Sequence, residues 1–92
     1  MEPTYRFKIL SPKRQVLDDQ VVSIVAPGNA GYFGVLANHA PFISTMKAGE
    51  VTVRFPNGSD RRFRIDGGIF RVTRNSAVLL AETVEEIKES AQ

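Results

Sequence analysis

The chain has no cysteine and no tryptophan, and it has a single histidine, His39. Without cysteine there is no disulfide and no thiolate metal site. With only one histidine besides, the usual zinc ligand sets are excluded, and no metal or organic cofactor is expected. An excess of charge is missing too. Twelve basic residues stand against ten acidic ones, for a net charge of +2, so the total gives no reason to expect a polyanionic partner. Long apolar runs are absent: none approaches the roughly 20 residues that span a bilayer. The opening Met1-Glu2-Pro3-Thr4-Tyr5-Arg6-Phe7 has no apolar signal region and carries an acid at its second position. These absences predict a soluble, cytosolic chain that reaches a membrane only if another protein holds it there. Ninety-two residues make one domain, which buries about 65% of the surface its unfolded form exposes.

What is present is β patterning from end to end. Tyr5, Phe7 and Ile9 alternate with Arg6 and Lys8, which predicts a half-buried strand over 4–10. Ser11-Pro12-Lys13 reads as a turn, residues 15–17 as a short extended piece, and Asp18-Asp19 as another turn. Residues 20–26 carry Val21, Val22, Ile24 and Val25 on both faces, the mark of a central strand. Further strands are expected over 42–47, 50–55, 60–66 and 69–74, with Pro56-Asn57-Gly58-Ser59 as a hairpin and Gly67-Gly68 as a turn. Ala77 to Ala81 reads as a buried strand. The tail has two readings: Val84 and Ile87 mark one face of a short helix, or 84–88 is a last edge strand. Strands at about ten-residue spacing with turn chemistry between them predict an all-β sandwich or barrel.

The most informative segment is Pro27-Gly28-Asn29-Ala30-Gly31-Tyr32-Phe33-Gly34-Val35-Leu36-Ala37-Asn38-His39-Ala40-Pro41-Phe42. It reads as an apolar, glycine-punctuated loop, more suited to a contact surface than to a catalytic pocket, and Tyr32→Asp or Phe33→Asp is expected to leave the fold intact. Its glycines fit neither the dinucleotide spacing nor the Walker spacing, and no helix follows, so they are read as turn glycines. His39 has no nucleophile or orienting carboxylate at a spacing that builds a triad, and is read as structural or interfacial. Arg54, Arg61, Arg62, Arg64, Arg71 and Arg74 interleave with Phe55, Phe63 and Phe70, the composition of a single-strand-binding surface. Alternation, however, places the phenylalanines inside and most arginines outside. Glu82, Glu85, Glu86 and Glu89 read as solvated charges. A nucleic-acid-binding β-barrel and a small β-domain enzyme are the rival functions.

Three stretches resemble a known family, the ε subunit of the rotary F-type ATP synthase (δ in mitochondrial naming). They are Tyr5-x-Phe7-x-Ile9-x-Ser11-Pro12, Gly28-x-x-Gly31-x-x-Gly34-Val35-Leu36-x-Asn38-His39-Ala40-Pro41, and Gly67-Gly68-Ile69-Phe70-x-Val72 with Val78-Leu79-Leu80-Ala81-Glu82. The resemblance covers nearly the whole chain. It implies a flattened, ten-stranded β-sandwich over 1–84, with 85–92 a short tail or last edge strand. It implies a non-catalytic rotor subunit, monomeric within a hetero-oligomeric complex, joining the γ subunit to the membrane c-ring so that proton-driven rotation is coupled to ATP synthesis. Gly28, Asn29, Ala30, Gly31, Tyr32, Phe33 and Gly34 are then expected at the c-ring, and Ser11, His39, Ala40, Pro41 and Ser44 at γ. No nucleic acid and no direct membrane insertion are implied. The expected location is peripheral, on the cytoplasmic face of a bacterial inner or plasma membrane, or on the stromal face of the thylakoid in an organelle. Two departures stand out. Ala30 and Tyr32 occupy positions where family loops often carry an acid, which favours aromatic and backbone contacts over a salt bridge. The sequence also stops where the family usually adds a helical hairpin, and is read as a naturally short form without helix-mediated inhibition or nucleotide sensing.

Overall fold

The computed structural model describes residues 2–88. Eight strands follow one another: β1 Tyr5–Leu10, β2 Gln15–Val21, β3 Ser23–Gly28, β4 Gly31–Leu36, β5 Phe42–Arg54, β6 Asp60–Val72, β7 Ser76–Leu80 and β8 Val84–Ile87. No helix occurs among the described residues. Hydrogen bonding runs β2-β1-β7-β6-β5-β3-β4, with β8 joined to β6. The β1–β7 pair is parallel and the other pairs are antiparallel.

The two long strands turn this single path into a sandwich. β5 and β6 pair from Phe42↔Val72 to Arg54↔Asp60, with an interruption between Lys47↔Gly67 and Gly49↔Ile65. Through residues 69–72 β6 continues into β7, β1 and β2, and through residues 62–65 it joins β8; β5 joins β3, with β4 beyond it, through residues 52–54 and again at Met46↔Gly28. Strands from the two halves then meet face to face. The Tyr5 hydroxyl on β1 donates to the Val35 carbonyl on β4 at 2.7 Å. Phe33 on β4 lies edge-on to Phe70 on β6, with centroids 5.4 Å apart. Between the halves lie Phe7, Ile9, Val21, Ile24, Val35, Val51, Val53, Phe63, Phe70 and Leu79, all essentially without solvent contact. Each such side chain contributes about 1.5–3 kcal/mol by leaving water. No buried side-chain polar atom among the described residues lacks a partner.

Four local expectations are corrected. Gly67-Gly68 is not a turn: β6 runs straight through it, with φ of 135° and 144°. A Cβ on Gly68 would run into the Leu80 carbonyl oxygen, so β6 can pass this close to β7 only as bare backbone. The strands expected over 42–47 and 50–55 are one strand, β5, which ends at Arg54 and pairs with β6 in the same register on both sides of Ala48. Asp18 and Asp19 lie inside β2, where Asp18 faces Lys8 and forms a two-bond ion pair with Arg6 (both 2.7 Å). The break in residues 20–26 falls instead at Val22. The strand count is therefore eight among the described residues. The open reading of the tail resolves as strand β8, four residues at the β6 edge.

Candidate functional site

The segment read as a loop is mostly a hairpin. β3 and β4 pair in register from Ser23↔Leu36 to Gly28↔Gly31, leaving Asn29 and Ala30 as the turn. The tip is tied down: the Asn29 amide donates to the Thr45 carbonyl (3.2 Å), and its side-chain amide donates to Thr45 Oγ1 (2.6 Å). Alternation along β4 divides the expected contact residues. Tyr32 is 59% exposed and its hydroxyl accepts from the Glu50 amide at 3.3 Å, while Gly34 also faces solvent. Phe33 points inward, edge-on to both Phe42 (5.5 Å) and Phe70 (5.4 Å). Gly28 is buried, and a Cβ there would stand 2.9 Å from the Phe33 ring. Phe33 is half-buried and packs against the core, and in an extended chain it cannot face the same way as Tyr32. Asn29, Ala30, Tyr32 and Gly34 present the outward surface.

The Asn38-His39-Ala40-Pro41 stretch links β4 to β5. Asn38 has a left-handed φ of 66°, the sole non-glycine to do so among the described residues, and that reverses the chain. His39 is exposed, rests on the Phe42 ring (5.1 Å), and its Nδ1–H donates to the Ala40 carbonyl at 2.9 Å. Ala40 and Pro41 are exposed, and Ser44 is half-buried with its hydroxyl on the Thr45 carbonyl (3.0 Å). Ser11 stands apart, closing the β1–β2 turn with Arg14. The five residues expected together thus do not form one cluster. Ser44 alternates with the outward Ile43 and Thr45 and so turns to the inner side, opposite Phe70 in register, whereas Ser11 borders the outer face of the β2-β1-β7-β6-β5 half.

That face was not singled out from the sequence, and it is apolar. Ile43 is 65% exposed, Leu80 49% and Ile69 47%. In register, Thr45, Ile69, Leu80 and Leu10 form one row, and Ile43, Arg71, Val78 and Lys8 the next. Leu10, Ser11, Pro12, Ile69, Leu80 and Glu82 line an open hollow of about 600 Å³. The signal was present in Phe42-Ile43, Ile69-Phe70 and Leu79-Leu80. Two large apolar neighbours in a strand point to opposite faces, so each pair places one outside.

Four arginines of the stripe, Arg54, Arg61, Arg62 and Arg64, are electrically occupied. Arg54 pairs with Asp60 (3.0 Å), Arg61 with Glu86 (2.8 Å), and Arg62 and Arg64 both reach Glu50 (3.2 and 3.5 Å). Phe55, Phe63 and Phe70 are buried as expected, which leaves no stacking platform beside those cations. Catalytic furniture is equally thin. Among the described residues, no three His, Asp or Glu side chains are grouped so as to hold a metal. Tyr5 is the titratable group most perturbed by burial, which pushes its hydroxyl well above the ordinary tyrosine range. A phenol locked to a carbonyl between two sheets is a structural tie. No helix among the described residues is long and apolar enough to cross a membrane.

This arrangement, two outward surfaces on a rigid all-β frame, matches one family along its length. The sequence model of the ATP synthase delta/epsilon chain β-sandwich domain matches residues 4–87. The chain belongs to that family. The ATP synthase epsilon chain of Mesorhizobium japonicum is 36% identical over 89 residues, covering 97% of this chain and 66% of that relative. The chain therefore spans just under two thirds of that relative's length. The ATP synthase epsilon chain of Chlorobium limicola is 34% identical over 83 residues, covering 90% of this chain and 94% of that protein. A chain in the mitochondrial ATP synthase of Euglena gracilis (OSCP/F1/c-ring) superposes with a TM-score of 0.87 at 20% identity, over 94% of this chain and 56% of that one. That is a likeness of fold. Family membership agrees with the resemblance read from the glycine-rich hairpin and the Asn-His-Ala-Pro stretch.

Proposed function

We propose that this chain is a non-catalytic rotor subunit of an F-type ATP synthase, seated on the central stalk between γ and the c-ring. The observation that carries the reading is the sharing of β5 by the two outward surfaces. The hairpin tip is fastened to Thr45, and Ile43, two residues away on the same strand, belongs to the apolar outer face. A load entering at the tip therefore reaches the face through one strand and a close-packed core, which deforms little. In this reading the c-ring contact lies along Gly28 to Gly34. Asn29, Ala30, Tyr32 and Gly34 make the contact, while Gly28, Gly31 and Phe33 shape the hairpin. The γ contact is the apolar face together with Ser11, His39, Ala40, Pro41 and Ser44. The subunit inserts nothing into lipid and sits peripherally, on the cytoplasmic side of a bacterial membrane or the stromal side of a thylakoid. ATP hydrolysis and synthesis belong to other subunits, and nucleic acid is not a partner.

The test is co-elution with purified γ, followed by calorimetry. A one-to-one complex that His39→Asp weakens by tenfold or more is expected. A wild-type chain that fails to bind γ at micromolar concentration would overturn the assignment.

A further inference from the structure

The outer face proposed as the γ seat carries unequal charge at its two ends: two carboxylates with one lysine, Lys47, at the Gly67-Gly68 end, and Arg71 with Lys8 in its row at the other. At the Gly67-Gly68 end, Asp66 and Glu82 border the hollow lined by Leu10, Ile69 and Leu80. Asp66 accepts a hydrogen bond from the Thr83 amide (3.3 Å), and neither carboxylate has an ion-pair partner among the described residues. Toward the other end, Arg71 lies on the same face, between Ile43 and Val78 in register. Arg6, Arg54, Arg61, Arg62 and Arg64 all pair with carboxylates; Arg71 has no such partner among the described residues. Along β6, Asp66 and Arg71 are five residues apart, roughly 16 Å at about 3.3 Å per residue.

Resting on the rotor reading, we infer that this polarity fixes the orientation of the bound partner. An apolar strip of γ covers Ile43, Ile69, Leu80 and Leu10, a γ carboxylate meets Arg71, and a basic γ side chain meets Asp66 and Glu82. Apolar contact alone gives affinity without direction, because it depends on area and shape. Closing the face over an unanswered guanidinium or carboxylate would strip its water for nothing in return. A partner docked end for end would set like charges together, so one orientation wins and the encounter is steered toward it. For a subunit that passes torque, a seat with a single orientation holds register under load.

The experiment measures γ affinity of the full chain by calorimetry at low and high salt, for wild type, Arg71→Glu, Glu82→Lys and Arg64→Glu. Arg71 and Glu82 are exposed, so circular dichroism and thermal melts should match wild type. Arg71→Glu and Glu82→Lys are each expected to weaken γ binding tenfold or more at low salt, with the difference shrinking at high salt. Arg64→Glu, on the other sheet half, should stay within twofold. Wild type that binds γ while Arg71→Glu binds within twofold of it would overturn the inference and leave the rotor reading standing. No γ binding by wild type would overturn both. Sedimentation showing that Arg71→Glu alters self-association but not γ affinity would mark the face as a contact between copies of this chain, and would also overturn it.

Discussion

Tyr32 and Phe33 are chain neighbours with opposite duties, and substitution separates them. Phe33 fills the space between Phe42 and Phe70. Phe33 is half-buried, so Phe33→Ala is expected to lower unfolding stability by about 1–3 kcal/mol, read from urea midpoints, and Phe33→Asp by more. Tyr32→Asp removes an exposed ring and one long hydrogen bond to the Glu50 amide. Its expected effect is about 1 kcal/mol or less. Gly68→Ala forces a side chain against the Leu80 carbonyl in a backbone conformation that L residues rarely adopt. A loss of more than about 2 kcal/mol is expected, with β7 amides exchanging faster. Tyr5→Phe leaves the Val35 carbonyl without its donor and should lower stability by about 1–2 kcal/mol.

Among the elements, β8 is the shortest strand, and the Arg61–Glu86 clasp holds it. Arg61 gives two 2.8 Å bonds to the Glu86 carboxylate and lies over the Phe55 and Phe63 rings. The guanidinium hydrogen bond holds the Glu86 carboxyl below the usual glutamate range, and Arg6 does the same for Asp18. A carboxylate whose folded value is depressed contributes fully above its unfolded value, and that contribution is lost as pH falls through the folded one. Acid melts should thus show stability falling below about pH 4. Glu86→Gln should flatten that slope and remove about 0.5–1 kcal/mol at neutral pH; an unchanged slope would contradict the role given to the clasp. These elements also show what was legible in the chain. Alternation in β1, β6 and β7 named the inward residues because one face is wet and the other dry. Gly67-Gly68 and Asp18-Asp19 misled because local turn chemistry is the same in a bend, a bulge or a charged edge strand. Only the approach of Leu80 in the first case, and of Arg6 in the second, decides between them.

Seen as a whole, the molecule has two outward surfaces joined by β5, and they were unequally visible in the sequence. The hairpin tip was visible because glycine spacing and the Asn-His-Ala-Pro stretch are local patterns. The apolar outer face was not, since Ile43, Ile69 and Leu80 come from three strands and meet only through register. Its burden on the free chain is exposed apolar surface, which in a soluble domain marks a contact site. Ile69→Asp is accordingly expected to leave the melting temperature nearly unchanged and to weaken γ binding at least tenfold, measured by calorimetry. The central claim is that this chain couples ring rotation to the shaft, and the most direct measurement is ATP-driven acidification of vesicles. The vesicles would carry a synthase stripped of its ε subunit and refilled with this chain. The account predicts that wild type restores acidification, while Tyr32→Asp leaves hydrolysis running with acidification reduced severalfold. Acidification that stays at the stripped level after wild-type chain is added would contradict it.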